Sequence, residues 1–299
     1  MDPDLLRIPV GPGAVHVERY GHGATPVVCL HGFGTNAFLW RTVAPEIAEQ
    51  RHTVVAIDML GHGESDRPLD TEFGIMAQAE YLDRALTALR IPRAAVVGVD
   101  LGGAVALRLA STRPNRVSHL CLVNSLGPDG IPSGDMRALQ RNTARYVLRV
   151  ARGILGVAPL LTPLLQGSVA NPAHMPPRLV ARYLAPFVGQ EGVNHLLALA
   201  RAVHEADMEA IDLGAIRAST LVVRGEEDRW LDPEVATRLA ARIVESYFVR
   251  IPGVARLVPE EAPDQLSGII LDFLAGRFDP SARTRRRSSE TQHSTGNYT

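Results

Sequence analysis

Lysine is missing from this chain of 299 residues: all 31 basic side chains are arginine. Its absence excludes lysine Schiff-base chemistry and the phosphate-binding loops that depend on a lysine. Cysteine is nearly missing too. The two present, Cys29 and Cys121, each fall inside an apolar run that reads as a buried strand. Two such thiols make no disulfide framework and fit a reducing compartment. Neither sign of charge is in excess, the formal net charge being −1, which argues against nucleic acid or an anionic membrane as a partner. There is no uninterrupted apolar run of membrane-spanning length, since the most apolar stretch, residues 153–170, is broken by Pro159 and Pro163. The start, Met1-Asp2-Pro3-Asp4, is acidic where a secretory leader is basic, and no apolar segment follows it. A cytoplasmic location is therefore expected. No set of His, Cys, Asp and Glu has metal-ligand spacing, so neither a metal nor a cofactor is expected.

What remains is an ordinary globular composition, 46% hydrophobic and 21% charged. Apolar runs of strand length at 25–30, 53–58, 94–99, 119–123, 220–224 and 247–251 alternate with amphipathic stretches at about 37–49, 74–89, 100–111, 233–243 and 263–274. That rhythm predicts an α/β fold, a mostly parallel central sheet with helices on both faces. It lapses over residues 126–212, which are helical in pattern, interrupted by prolines, and without a convincing strand. The expected organisation is a core of 1–125 and 213–278, an inserted helical cap of 126–212, and a disordered tail of 279–299 that is rich in Ser, Thr and Arg.

The sharpest local signal is Gly98-Val99-Asp100-Leu101-Gly102-Gly103, between a buried strand and a helix. Small residues at 98 and 102 allow a tight turn that pushes the side chain at 100 out beyond the sheet edge, the geometry of a nucleophile elbow. Dinucleotide-binding folds also have a glycine-rich strand–helix turn, so this signal alone is weak. Four further segments occur in a consistent order. These are His31-Gly32-Phe33-Gly34 after the first apolar strand, Asp58-Met59-Leu60-Gly61-His62-Gly63-Glu64-Ser65-Asp66, Gly225-Glu226-Glu227-Asp228 after a late strand, and the run from Ile251 to Pro263 around Arg256.

Together these segments resemble the α/β-hydrolase fold superfamily over about residues 14–278. The resemblance implies a nucleophile at Asp100, an acid at Asp228, and oxyanion-hole amides at Phe33 and Leu101. Aspartate at the elbow resembles the haloalkane dehalogenase and epoxide hydrolase branch, in which a carboxylate attacks carbon and a histidine then activates water against the resulting ester. The chain departs from that branch in several places. Leu101 stands where a tryptophan is usual, Phe33 where dehalogenases carry a halide-stabilising residue, and Gly34 where epoxide hydrolases carry proline. Tyr146 and Tyr183 lie in the expected cap, where epoxide hydrolases use tyrosines to protonate the opening ring; buried tyrosines also commonly do no more than pack and hydrogen-bond.

The largest departure is Arg256 at the histidine position. A guanidinium has no acceptor and stays protonated, so it cannot take a proton from water. The expected arrangement has Arg256 between Asp100 and Asp228 and hydrogen-bonded to both, which weakens Asp100 as nucleophile and base. His31, His62, His174, His195 and His204 are the remaining candidates for a base, His31 and His62 being accessory site residues whose bland reading is to hold loops.

Two readings stay open. One is an enzyme acting on a small hydrophobic molecule between core and cap, either by carbon attack from Asp100 or by a non-hydrolytic proton transfer in which Arg256 holds an anionic oxygen. The other is a catalytically inactive, ligand-binding or vestigial homologue in which Asp100–Arg256–Asp228 is a remnant ion-pair network.

Overall fold

The computed structural model describes residues 1–127, 134–140 and 158–278. Tyr146 and the tail from 279, expected to be disordered, lie outside the described residues. The chain opens with β1 (Asp4–Pro9) and β2 (Ala14–Tyr20), an antiparallel hairpin that the hydrophobic pattern does not announce. No residue of β1 is buried, so it carries no buried stripe that could signal a strand. The remaining strands are β3 (Thr25–Leu30), β4 (His52–Ile57), β5 (Ala94–Val99), β6 (Val117–Val123), β7 (Ser219–Gly225) and β8 (Ser246–Ile251), each within two residues of its expected span.

The sheet order is β1-β2-β4-β3-β5-β6-β7-β8. β2 runs antiparallel to β1 and β4, and all other pairs are parallel. All six residues of β5 are buried, as a strand covered on both faces requires.

The helices are α1 (Val43–Glu49), α2 (Ile75–Ala88), α3 (Leu101–Thr112), α4 (Gly134–Gln140), α5 (Ala158–Gln166), α6 (Pro177–Leu184), α7 (Gly189–Arg201), α8 (Glu205–Glu209), α9 (Pro233–Arg242), α10 (Val258–Glu261) and α11 (Pro263–Leu274). The sheet order reverses direction at β3, and right-handed crossovers therefore place α1 on one face and α2 and α3 on the other. α1 packs with α11, and α2 with α3.

The single helix expected over 37–49 is divided. Ala37–Trp40 is a 3₁₀ turn, because the Asn36 side chain accepts from the Phe38 N–H and Asp58 Oδ1 accepts from the Ala37 N–H at 2.5 Å. These bonds fix the chain before an α-helix can begin.

Between β6 and β7 the described residues form α4 to α8 and no strand. This segment is tied to the sheet edge: His195 Nε2 lies 2.6 Å from the Gly61 carbonyl, and Arg67 donates to the Pro186 carbonyl at 2.6 Å. No helix among the described residues is long and apolar enough to cross a membrane.

Candidate active site

Asp100 sits between β5 and α3 with φ 53° and ψ −116°. An L residue held at positive φ stores about 1–3 kcal/mol of strain, which persists only where the surroundings over-determine it. They do so here. The Asp100 N–H donates to the Val123 carbonyl at 3.1 Å, while its own carbonyl accepts from the Gly103 and Leu126 N–H groups at 3.1 and 3.2 Å. The turn also needs glycine at 98, since a Cβ there would lie 2.5 Å from the backbone of Gly102.

The Asp100 side chain is 1% exposed. Its Oδ2 accepts from the Phe33 N–H at 2.8 Å. Gly32 makes this approach possible, because a Cβ there would sit 2.9 Å from both Cβ and Oδ2 of Asp100. Leu101 is the first residue of α3, so its N–H is one of the donors that a helix leaves without an internal partner at its start. The other carboxylate oxygen, Oδ1, accepts from Arg256 Nη2. The pair is fully enclosed, Arg256 being 3% exposed.

Arg256 is held by contacts that the sequence pattern does not reveal. Asn124, at the end of β6 with φ 40°, donates through Nδ2 to the carbonyls of Ala255 and Arg256 at 2.8 and 3.3 Å. Its Oδ1 accepts from the Gly225 N–H at 3.0 Å. One buried amide thus clamps the arginine segment to the end of β7. A polar residue closing an apolar strand is the only trace of it in the sequence. Glu261 adds a second clamp, accepting from the Ala255 N–H at 2.7 Å and from the Ala170 N–H at 2.8 Å.

Asp228 departs from expectation. Its Oδ1 accepts from the N–H groups of Trp230 and Leu231 at 2.8 and 3.4 Å. Oδ2, however, is buried with no hydrogen-bond partner among the described residues, so Arg256 does not bond both carboxylates at once. Arg256 Nη2 donates to Asp100, and Arg256 acts on Asp228 through its charge and not through a hydrogen bond. Burial raises the Asp228 pKa, and the Arg256 charge is the strongest influence opposing that rise, with Arg224 also contributing. Arg224, a second buried arginine outside the sequence expectation, donates to the carbonyls of Asp228 and Leu231 at 3.2 and 3.5 Å.

The accessory candidates are bonded elsewhere. His31 donates through Nδ1 to the Gly32 carbonyl at 2.8 Å, and its Nε2 accepts from the Met59 N–H at 3.1 Å. The second bond fixes the tautomer, with the proton on Nδ1. His62 packs against it with ring centroids 5.0 Å apart and lies 3.3 Å from the Leu60 carbonyl. Tyr183 donates to Glu260, which also takes a two-pronged bond from Arg41 at 2.6 and 2.7 Å. This joins α6 to the core and occupies the hydroxyl. His174 lies 3.5 Å from Glu261, and His204 stands at the N-cap position of α8 without a side-chain bond to the helix.

Burial pushes the His31 pKa down to about 4 and that of His62 well below its usual value. Both rings are therefore neutral in the folded protein but take up protons near pH 6.5 when it unfolds. Stability is lost as pH falls from about 6.5 toward 4, the unfolded state binding the extra protons. Asp58, raised to about 6 by burial, acts in the opposite sense between pH 6 and 4. Urea midpoints of His62→Phe against wild type separate the two, and the variant should lose less stability between pH 6.5 and 5, by up to about 1.4 kcal/mol per pH unit. Identical slopes would mean that His62 is protonated in the fold.

Beside the site lies an apolar cavity of about 40 Å³. Phe33 and Gly34 face Leu139, Leu165, Phe187 and Leu196 across it, and Ser168 is the polar side chain in its wall. That volume holds a few water molecules. No cluster able to hold a metal ion occurs among the described residues.

The alpha/beta hydrolase fold family profile matches residues 25–162. A Variovorax paradoxus protein provisionally named carbamate hydrolase RutD is 31% identical over 265 residues, covering 87% of this chain and 96% of the relative. A haloalkane dehalogenase of Mesorhizobium japonicum is 28% identical over 290 residues, 91% of each chain. In three dimensions, an α/β-hydrolase-fold protein of Burkholderia ambifaria superposes with a TM-score of 0.79 at 26% identity, covering 90% of this chain and 99% of the other. The elbow, the oxyanion loop, the sheet order and these likenesses agree: the chain belongs to the α/β-hydrolase family of enzymes.

Proposed function

We propose that this enzyme acts on a small apolar organic molecule by carbon attack, with Asp100 as nucleophile and Arg256 in place of the water-activating base. The observation carrying this reading is the Phe33 N–H on Asp100 Oδ2 at 2.8 Å. One carboxylate oxygen sits where an oxyanion would be stabilised, which leaves Oδ1 as the attacking atom. Both oxygens accept from N–H donors, and such bonds favour the charged form of a carboxylate, weakening it as a base and, to a degree, as a nucleophile. Proton abstraction needs a base poised near the working pH, whereas displacement at carbon needs only a positioned anion. Carbon attack is thus preferred to proton transfer.

In the proposed step Oδ1 bonds to the substrate carbon as the bond from carbon to the leaving group breaks, and that group departs with the electron pair. The product is an ester on Asp100. Arg256 cannot activate water, so the ester clears slowly. The likeness to a haloalkane dehalogenase supports an anionic leaving group, and epoxides are the second substrate class.

Intact-protein mass after incubation with bromoalkanes, epoxides and activated esters tests this. A gain equal to the substrate fragment, mapping to Asp100 and abolished in Asp100→Asn, is the expected result. No gain with any probe, together with thermal stabilisation by the same compounds, would favour the ligand-binding reading. The ion-paired Asp100 and the small cavity support that alternative.

A further inference from the structure

Away from Asp100, an open recess of about 590 Å³ lies where α6 meets the 3₁₀ turn at Ala37–Trp40. Phe38, Arg41, His174, Arg178, Arg182 and Glu260 are among the residues lining it. Three guanidinium groups thus share one hollow with a single carboxylate. That carboxylate is already committed. The Glu260 side chain is 3% exposed, and Arg41 donates to both of its oxygens at 2.6 and 2.7 Å, with Tyr183 donating to Oε1 as well.

Glu260 therefore answers the charge of Arg41 and leaves those of Arg178 and Arg182. Arg178 has neither a hydrogen bond nor an ion pair among the described residues, and Arg182 has only its stacking on Phe38, 5.2 Å from the ring centroid. Glu18 feels the Arg182 charge from beyond ion-pair reach, and it accepts from the Tyr20 hydroxyl at 2.7 Å. Residues 178 and 182 stand four apart on α6, so their side chains are neighbours on one face. Like charges at that spacing destabilise a helix. Arg41 also stacks on Phe38, 4.2 Å from its centroid. One aromatic ring thus steadies two of the three cations, which lowers the cost of ordering them round a ligand.

We propose that this recess binds a small, multiply charged oxyanion, a phosphate ester or a polycarboxylate, through Arg178 and Arg182 with Arg41 as the third cation. Each guanidinium presents parallel N–H groups that match two oxygens of a carboxylate or phosphate. A halide or a single carboxylate would leave one of the two unanswered arginines without a counter-charge, whereas a phosphate monoester or a dicarboxylate supplies both. The site has a route to the active-site cavity. Arg178 and Arg182 line the recess, while Leu184 of the same helix lines the 40 Å³ cavity beside Phe33. An anion that joins α6 to Arg41 steadies the helix that forms part of that cavity wall.

Titration calorimetry of the full-length protein with sodium pyrophosphate and with citrate, at constant ionic strength set by sodium chloride, tests the site. Saturable binding is expected for at least one of them, and the tighter of the two names the charged group that the recess prefers. Arg178→Ala and Arg182→Ala should each weaken it by about tenfold, the order of one charge-assisted hydrogen bond. Alanine is the best helix former, so α6 persists in both variants. Hydrogen exchange of the amides of 177–184 should slow in wild type when the anion is bound. No saturable binding of either anion overturns the proposal. So does wild-type affinity in the double variant, or unchanged exchange over 177–184 with the anion bound, since the ion then sits elsewhere. None of these readings depends on the reaction at Asp100.

Discussion

Replacing Arg256 by histidine is expected to raise multiple-turnover hydrolysis by about 10²–10⁴-fold, the range that a positioned general base contributes. The surrounding parts of such a catalyst are already in place. Asp100 projects from a rigid elbow with Oδ2 on the Phe33 amide. Asp228 offers a buried, unpartnered Oδ2 at the end of β7, where it can hold an imidazole by one nitrogen and leave the other for water. The substituted segment is clamped through the backbone by Asn124 and Glu261, so its position does not depend on the arginine side chain. Product per enzyme, measured beside the lifetime of the Asp100 adduct, checks this. Adduct that forms in Arg256→His and persists as long as in wild type would show that more than a base is missing.

Removing the cation without supplying a base should damage the fold instead. Arg256→Met is expected to lower stability by about 3–5 kcal/mol at pH 7, because breaking an enclosed ion pair leaves an uncompensated charge. The Asp100–Arg256 pair is 1% and 3% exposed, so water cannot take the place of the lost partner. Part of the loss should return when Asp100→Asn is added, since the unpaired charge is then gone. Urea unfolding of the two single variants and the double variant measures the coupling directly. A cost below about 1 kcal/mol for Arg256→Met would place the pair among interactions that contribute little, as exposed ion pairs do.

Six of the eight strands were legible because a parallel, covered strand is built round a continuous apolar run. Ala94–Val99 is apolar and buried along its whole length, and Ser219–Gly225 carries such a run at residues 221–223. The β1–β2 hairpin was not legible. β1 is held by main-chain bonds at the sheet edge and buries none of its residues, and periodicity reports burial, not pairing. The break at Ala37–Trp40 was hidden for a related reason, its cause being the carboxylate of Asp58 on a different strand end.

The candidate site divides along the same line. Sequence alone determined the residue types and their order: an aspartate at an elbow that only glycines at 98 and 102 permit, an arginine where a base belongs, and an acid after a late strand. Those follow from local sterics and side-chain chemistry, both written in adjacent residues. Only the tertiary structure decided which partners each group takes. It placed Oδ2 of Asp100 on Phe33, bonded Arg256 to Asp100 and not to Asp228, used Tyr183 to join α6 to the core, and brought in Asn124 as the clamp. A hydrogen bond is settled by angles and tenths of an ångström between groups far apart in the chain, and no spacing along a sequence carries that information.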